Sequence, residues 1–255
     1  MELGLGGFAI EIERVRKILP EHIVIIEDAA HALGAKFLDG TPVGSSGNMT
    51  CFSFYANKNL STVEGGAIAL FDEKIADRLR SLRQNGMSVD AWKRFSQPKS
   101  ILSPEVVELG YKMNYTDLQA SIGRVQLRRQ PEFHNSRLDI AKTYHENLYK
   151  FSSEIKFQSK IIHPSHARHL FLIQLSIENS KLTRDEVLLK LRKRNIGASI
   201  HYPPLHLMPF YLGKEEANLP NTVRICSRIM TLPISSSMTL DDAEYVIFHL
   251  KKCLE

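Results

Sequence analysis

The run Ile23-Val24-Ile25-Ile26, followed at once by Glu27-Asp28, restricts this chain more than any other feature. Four consecutive β-branched residues without alternation predict a strand apolar on both faces, the kind buried inside a parallel sheet. The two acids then fall at its carboxyl end, where open α/β sheets bind ligands. The flanking pattern agrees. Ile12, Val15, Ile18 and Leu19 recur at helical spacing over Glu11–Leu19, and Pro20 closes that helix. Met49–Phe54 and Ala67–Leu70 read as two further short buried strands. A helix over Asp72–Gln84 places Ile75, Leu79 and Leu82 on one face, with Asp72 as its cap and Gly86 just past its end. Strands alternating with helices predict an α/β domain with a mostly parallel sheet.

Downstream, Asp90–Val107 lacks periodicity and reads as a long excursion. Thr116-Asp117-Leu118-Gln119 is a capping-box pattern, opening a helix expected to bury Leu118, Ile122 and Val125. A second helix is expected near Arg137–Tyr149. After Phe151 the pattern changes. His169–Ile177 alternates like a half-exposed strand, Thr183–Glu186 repeats the capping box, and a last helix aligns Ala243, Val246, Ile247 and Leu250. The expected organisation is a large α/β domain over residues 1–130, then a linking helix and a small α+β domain over residues 131–255.

Composition narrows the function classes. With 255 residues, 43% hydrophobic and 24% charged, the chain has a globular profile, and no apolar run approaches the ~18–20 residues of a membrane span. Its net charge of +5 is not gathered into a basic stripe with interleaved aromatics, which argues against nucleic-acid binding. The cluster Arg192-Lys193-Arg194 falls at a predicted helix end, where cations complement the macrodipole. Met1–Ile10 has no basic lead of a secretory signal. Three scattered cysteines, Cys51, Cys226 and Cys253, suit a reducing cytoplasm.

The residues able to carry chemistry lie in two segments, IIEDAAHALG and FSFYANKNLSTVEGG. Ser53 ends a predicted strand, Lys58 follows five residues later, and Gly65-Gly66 leads into the next strand. A lysine between two buried strands is partly desolvated, which favours the neutral amine that attacks carbonyls. The acids at the strand end, the amine and the hydroxyl together match what pyridoxal phosphate needs: a group to pair with its ring nitrogen, a covalent anchor and a phosphate donor. His201 and His206 in HYPPLHLMPFY raise the question of a metal. Two prolines and the lack of a nearby carboxylate or cysteine argue against one.

With EDAAHALGA, VGSSGN, FSFYANKNLSTVEGGAI, LRQNGM and LGYKMNYTDLQASIGRVQL in this order, the chain resembles the DegT/DnrJ-type nucleotide-sugar aminotransferases, fold-type-I pyridoxal phosphate enzymes, from about Glu11 to the C-terminus. Among them it is most similar to members that aminate C4 of a UDP-linked keto sugar. The resemblance implies that Lys58 holds the cofactor and moves the proton between Cα and C4′. It also implies that Asp28 pairs with the ring nitrogen, that His31 meets the ring hydroxyl oxygen, and that Ser53 binds the phosphate. Asn114 would reach the phosphate of a neighbouring chain in a homodimer, and its place just before a capped helix N-terminus suits an anion. His201, Tyr202 and His206 would face the sugar. The implied reaction moves an amino group from glutamate to a nucleotide-linked keto sugar.

Departures stand beside these matches. Asn85 occupies the place of a usual His, and Val223 that of a common Glu. The resemblance also implies an N-terminal segment, absent here, that supplies a phosphate-binding turn and the residue stacking on the ring. Two further readings follow: a silent fragment acting with a companion polypeptide, and a sugar dehydratase on the same scaffold. Lys58 argues against the second, because the dehydratases that resemble this family have His there.

Overall fold

The computed structural model describes residues 5–88, 105–159, 161–176, 181–213 and 218–255. Most of the excursion predicted for Asp90–Val107, and Ile177 of the predicted strand, lie outside the described residues. The chain divides into two compact units. One comprises Ile12–Ala30 and Gly44–Arg128; the other comprises Met1–Glu11, His31–Val43 and Arg129–Glu255.

The first unit holds helix α1 (Ile12–Ile18) and strands β1 (Ile26–Asp28), β2 (Met49–Ser53) and β3 (Gly66–Ala69), followed by helix α2 (Glu73–Leu82). Its sheet order is β1-β2-β3, with β1 and β2 parallel and β2 and β3 antiparallel. Asp72 caps α2 as expected, its carboxylate accepting from the amides of Lys74 (2.9 Å) and Ile75 (3.1 Å). The strand predicted at Ile23–Ile26 begins only at Ile26 and continues through both acids. Nor is the apolar run buried: Val24 is 70% and Ile26 61% exposed. β1 is an edge strand here, and burial on both faces needs layers that the described residues of this unit do not supply.

Helix α3 (Asp117–Leu148) is one element where two were expected. It passes through Pro131, and the division between units falls within it, between Arg128 and Arg129. Its capping box forms: Thr116 Oγ1 accepts from Gln119 N (3.2 Å), while Gln119 Oε1 accepts from Thr116 N (2.9 Å). Leu118, Ile122 and Val125, expected inside, are exposed; the first reaches 73%.

The second unit continues with β4 (Ile155–Phe157), β5 (Phe171–Leu175), α4 (Arg184–Arg192), α5 (Pro220–Cys226), β6 (Ile229–Leu232) and α6 (Leu240–Leu254). The strands form an antiparallel sheet in the order β4-β5-β6. Capping boxes open α4 at Thr183/Glu186 and α6 at Thr239/Asp242. One core joins Tyr144 and Leu148 of α3, Phe171 and Ile173 of β5, Leu191 of α4 and Leu250 of α6. Tyr144 satisfies its buried hydroxyl by donating to the carbonyl of Pro233 (2.8 Å). β5 is buried at every residue except the partly buried Gln174, not half-exposed as its alternation predicted. A central strand in a covered sheet hides both faces. Among the described residues no helix is long and apolar enough to cross a membrane.

Candidate active site

Parallel pairing of β1 with β2 sets Asp28 opposite Cys51, so Asp28 and Ser53 end neighbouring strands on the same side of the sheet. The Asp28 carboxylate is exposed and accepts from Ala30 N at 3.0 Å. Beside it, Glu27 is 5% exposed and accepts from Ser46 Oγ and from Asn48 Nδ2 (2.9 Å). These bonds fasten the Gly44–Asn48 segment to β1 and fix the backbone from which Asp28 projects. The alternation of the strand explains the split: Glu27 turns into the protein and Asp28 out of it.

Lys58 lies on an excursion that leaves and rejoins the sheet between β2 and β3. Phe54 N donates to Gly65 O (2.8 Å) and Thr62 N to Phe54 O (2.9 Å), closing its base. Within it Lys58 N donates to Tyr55 O (2.9 Å). Burial holds the Lys58 ammonium below the usual lysine range, and the negative charge of Asp28 works in the opposite direction. The same carboxylate, after burial, helps to raise the Cys51 thiol. Lys58 and Asp28 thus share one electrostatic environment. Ser53 Oγ accepts from Tyr55 N at 3.4 Å, a long contact. Asn114 is exposed, three residues before the first residue of α3.

This donor set fits pyridoxal phosphate. A lysine whose basicity burial lowers, an exposed carboxylate that acts on it, and a hydroxyl at a strand end meet the cofactor's needs for an anchor, a counter-charge and a phosphate donor. A Cβ on Gly65 would come within 2.5 Å of the Tyr115 ring, so its space is taken by the protein itself.

The remaining candidates belong to the second unit. His31 stacks at a tilt on His169, with ring centroids 4.3 Å apart. His201 Nδ1 lies 2.8 Å from Thr231 Oγ1, a bond that ties its loop to β6. Tyr202 is exposed and packs edge-on to His201, while His206 stands on a short 3-10 turn, Leu205–Leu207. Among the described residues no cluster of His, Cys, Asp and Glu is arranged to hold a metal.

Sequence reasoning missed a buried cationic cluster in this unit. Arg168, 1% exposed, donates to the carbonyls of His163 (3.0 Å) and His166 (2.8 Å) and to His134 Nε2 (3.1 Å). Arg137 in turn donates to Arg168 O and Ile234 O. No spacing rule brings residues 134, 137 and 163–168 together, so no signal in the sequence could have disclosed the cluster.

Residues 1–251 match the family model described as the DegT/DnrJ/EryC1/StrS aminotransferase family. The chain is 41% identical over 251 residues to MJ1066 of Methanocaldococcus jannaschii, covering 97% of this chain and 64% of that protein. It is 37% identical over 249 residues to the spore coat polysaccharide biosynthesis protein SpsC of Bacillus subtilis, covering 95% of this chain and 63% of SpsC. Among solved structures, the PLP form of Spr1654 from Streptococcus pneumoniae superimposes with a TM-score of 0.84 at 27% identity, over 99% of this chain and 67% of that one. The chain therefore spans just under two thirds of the length of these curated relatives. Sequence match and shared fold agree: this chain belongs to the DegT/DnrJ/EryC1/StrS aminotransferase family.

Proposed function

We propose that the chain provides the lysine-bearing part of an enzyme that moves an amino group from glutamate to a nucleotide-linked keto sugar during surface-polysaccharide synthesis. The observation that carries this reading is the burial-lowered Lys58 amine sharing its electrostatic environment with Asp28, which like Ser53 ends one of two parallel strands. The name of SpsC supports a polysaccharide role. When bound, pyridoxal phosphate supplies a ring that takes up the electron pair left as a substrate C–H bond breaks. Asp28 would hold a proton on the ring nitrogen, and Ser53 would donate to the phosphate. Lys58 would anchor the cofactor and, once released, carry the proton between donor and acceptor carbons, its lowered basicity suiting a group that must both take and return a proton. His31 would contact the ring oxygen, and His201, Tyr202 and His206 the sugar.

The functional unit in this reading is a homodimer in which Asn114 serves the neighbour's phosphate. Full activity requires a segment equivalent to the remaining third of the relatives, in the same chain or as a companion polypeptide. What supports that requirement is the exposed β1 run together with the share of the relatives' length that this chain spans. Borohydride reduction of the protein mixed with pyridoxal phosphate should label the peptide containing Lys58. Label scattered over surface lysines would remove the mechanism. Assays with glutamate and UDP- or dTDP-linked 4-keto sugars, with and without that segment, then test substrate and completeness. Full turnover by this chain alone would overturn the requirement for the segment.

A further inference from the structure

The loop that bears Lys58 has a second fastening, away from the strands. Glu64 O accepts from Thr62 Oγ1 within the loop (2.9 Å) and from Gln119 Nε2 on the first turn of α3 (2.8 Å). Gln119 is therefore two-sided. Its Oε1 completes the capping box by accepting from Thr116 N and Thr116 Oγ1, each at 2.9 Å. Its Nε2 reaches across 55 residues of sequence to the loop. Tyr115 reinforces the junction: its hydroxyl donates to Gln119 O (3.3 Å), and its ring fills the space beside Gly65 and packs against Phe54. The loop has reason to need holding. Val63, a β-branched residue, sits at φ 70°, a strained conformation that persists only where surrounding contacts over-determine it.

We propose that Gln119 is a positioning residue for Lys58, latching the lysine-bearing loop to the N-terminal turn of α3 through the Glu64 carbonyl. The proposal rests on the reading of Lys58 as the cofactor lysine and deepens it. α3 begins just after Asn114, so one side chain fastens the loop of the lysine to the turn that follows the residue proposed to serve the neighbouring chain. Releasing the latch frees residues 61–65, lets water reach the lysine and removes part of the desolvation that lowers its basicity.

Two substitutions separate latch from cap. Gln119→Glu keeps an acceptor oxygen for the capping box, where glutamate serves as well as glutamine, but has no donor for Glu64 O. Gln119→Met removes both and adds no charge that could itself act on Lys58. The measurements use the 255-residue chain without cofactor. Amide hydrogen exchange reads the loop over residues 59–66. The pH dependence of Lys58 acetylation by acetic anhydride, followed by mass spectrometry, reads the amine. Urea unfolding reads the cap. In both variants the loop amides should exchange roughly fivefold faster, the change expected for one lost hydrogen bond. The Lys58 acetylation profile should move to higher pH in both. The unfolding midpoint should fall in both variants, and further in Gln119→Met, which loses the cap as well as the latch. Unchanged loop exchange or an unchanged acetylation profile in either variant would overturn the proposal. So would a midpoint that falls in Gln119→Met but keeps its original value in Gln119→Glu, since Gln119 would then act as a cap alone. None of these readouts depends on what Lys58 binds; that separate question is decided by borohydride labelling, so the two readings fail independently.

Discussion

Substituting His166 should remove much of the protein's acid sensitivity. The ring is fully buried, and its Nδ1 accepts from Arg168 N at 2.9 Å, which fixes the neutral form with its proton on Nε2. Burial, then the charges of Arg168 and His134, lower its pKa from 6.5 to about 3. Protonation at Nδ1 would destroy the bond to Arg168 N and place a second cation beside the guanidinium. A histidine depressed in the fold is protonated more readily when unfolded, so its contribution is complete above the unfolded value and is lost as pH falls from 6.5 toward about 3. Linkage between these two values gives a loss of ~2 kcal/mol on going from about pH 7.5 to about pH 5. His134 titrates over an overlapping window, its pKa lowered to about 4 by burial and by Arg168, Lys36 and Arg137. It is less buried than His166, so solvent screening reduces its share. His166→Asn offers a short acceptor to Arg168 N and cannot titrate. Urea unfolding followed by circular dichroism should show the wild type losing ~2 kcal/mol more than His166→Asn over this interval. Equal losses in the two proteins would refute the argument, because the acid sensitivity would then arise elsewhere.

Other perturbations test the site. Gly65→Ala places a methyl within 2.5 Å of the Tyr115 ring at a φ of +145°, so it should cost ~1–3 kcal/mol in urea unfolding and reduce borohydride labelling of Lys58. Glu27→Leu strands Ser46 and Asn48 and should destabilise by ~1–3 kcal/mol, whereas Glu27→Gln keeps an acceptor oxygen and should lose less than half as much; thermal melts distinguish the two. With a segment equivalent to the remaining third of the relatives supplied, mixing Lys58→Ala chains with Asn114→Ala chains should recover cofactor binding at one of the two sites in the mixed dimer. No recovery in a demonstrably mixed dimer would count against the shared site.

What the sequence disclosed was governed by distance along the chain. Asp72, Thr116 and Thr183 were legible as caps because a cap is settled by neighbours three residues away, and all three form. Strand ends were legible to within about three residues for the same reason. Burial was not, because it depends on what lies opposite. Ile23–Ile26 has the composition of a central strand but borders an open edge, while β5 alternates like a surface strand and lies in the core. The boundary expected between two helices does not appear, because α3 runs on through Pro131 as one element.

The candidate site divides along the same line. Asp28, Ser53 and Lys58 could be picked out because strand ends and a lysine between strands are local features, and pairing of β1 with β2 then puts the first two at the same end of neighbouring strands. The function of Gln119 shows where such reading stops. A local rule identifies its Oε1 as half of a capping box, and the rule is correct, yet it is silent about the amide nitrogen on the same side chain. Glutamate would satisfy the cap equally well. Only the folded chain, which brings the Glu64 carbonyl within 2.8 Å, supplies a reason for an amide at this position. A residue whose local task could be done as well by another type therefore calls for a search for a distant partner, and here the search leads to the loop of the cofactor lysine.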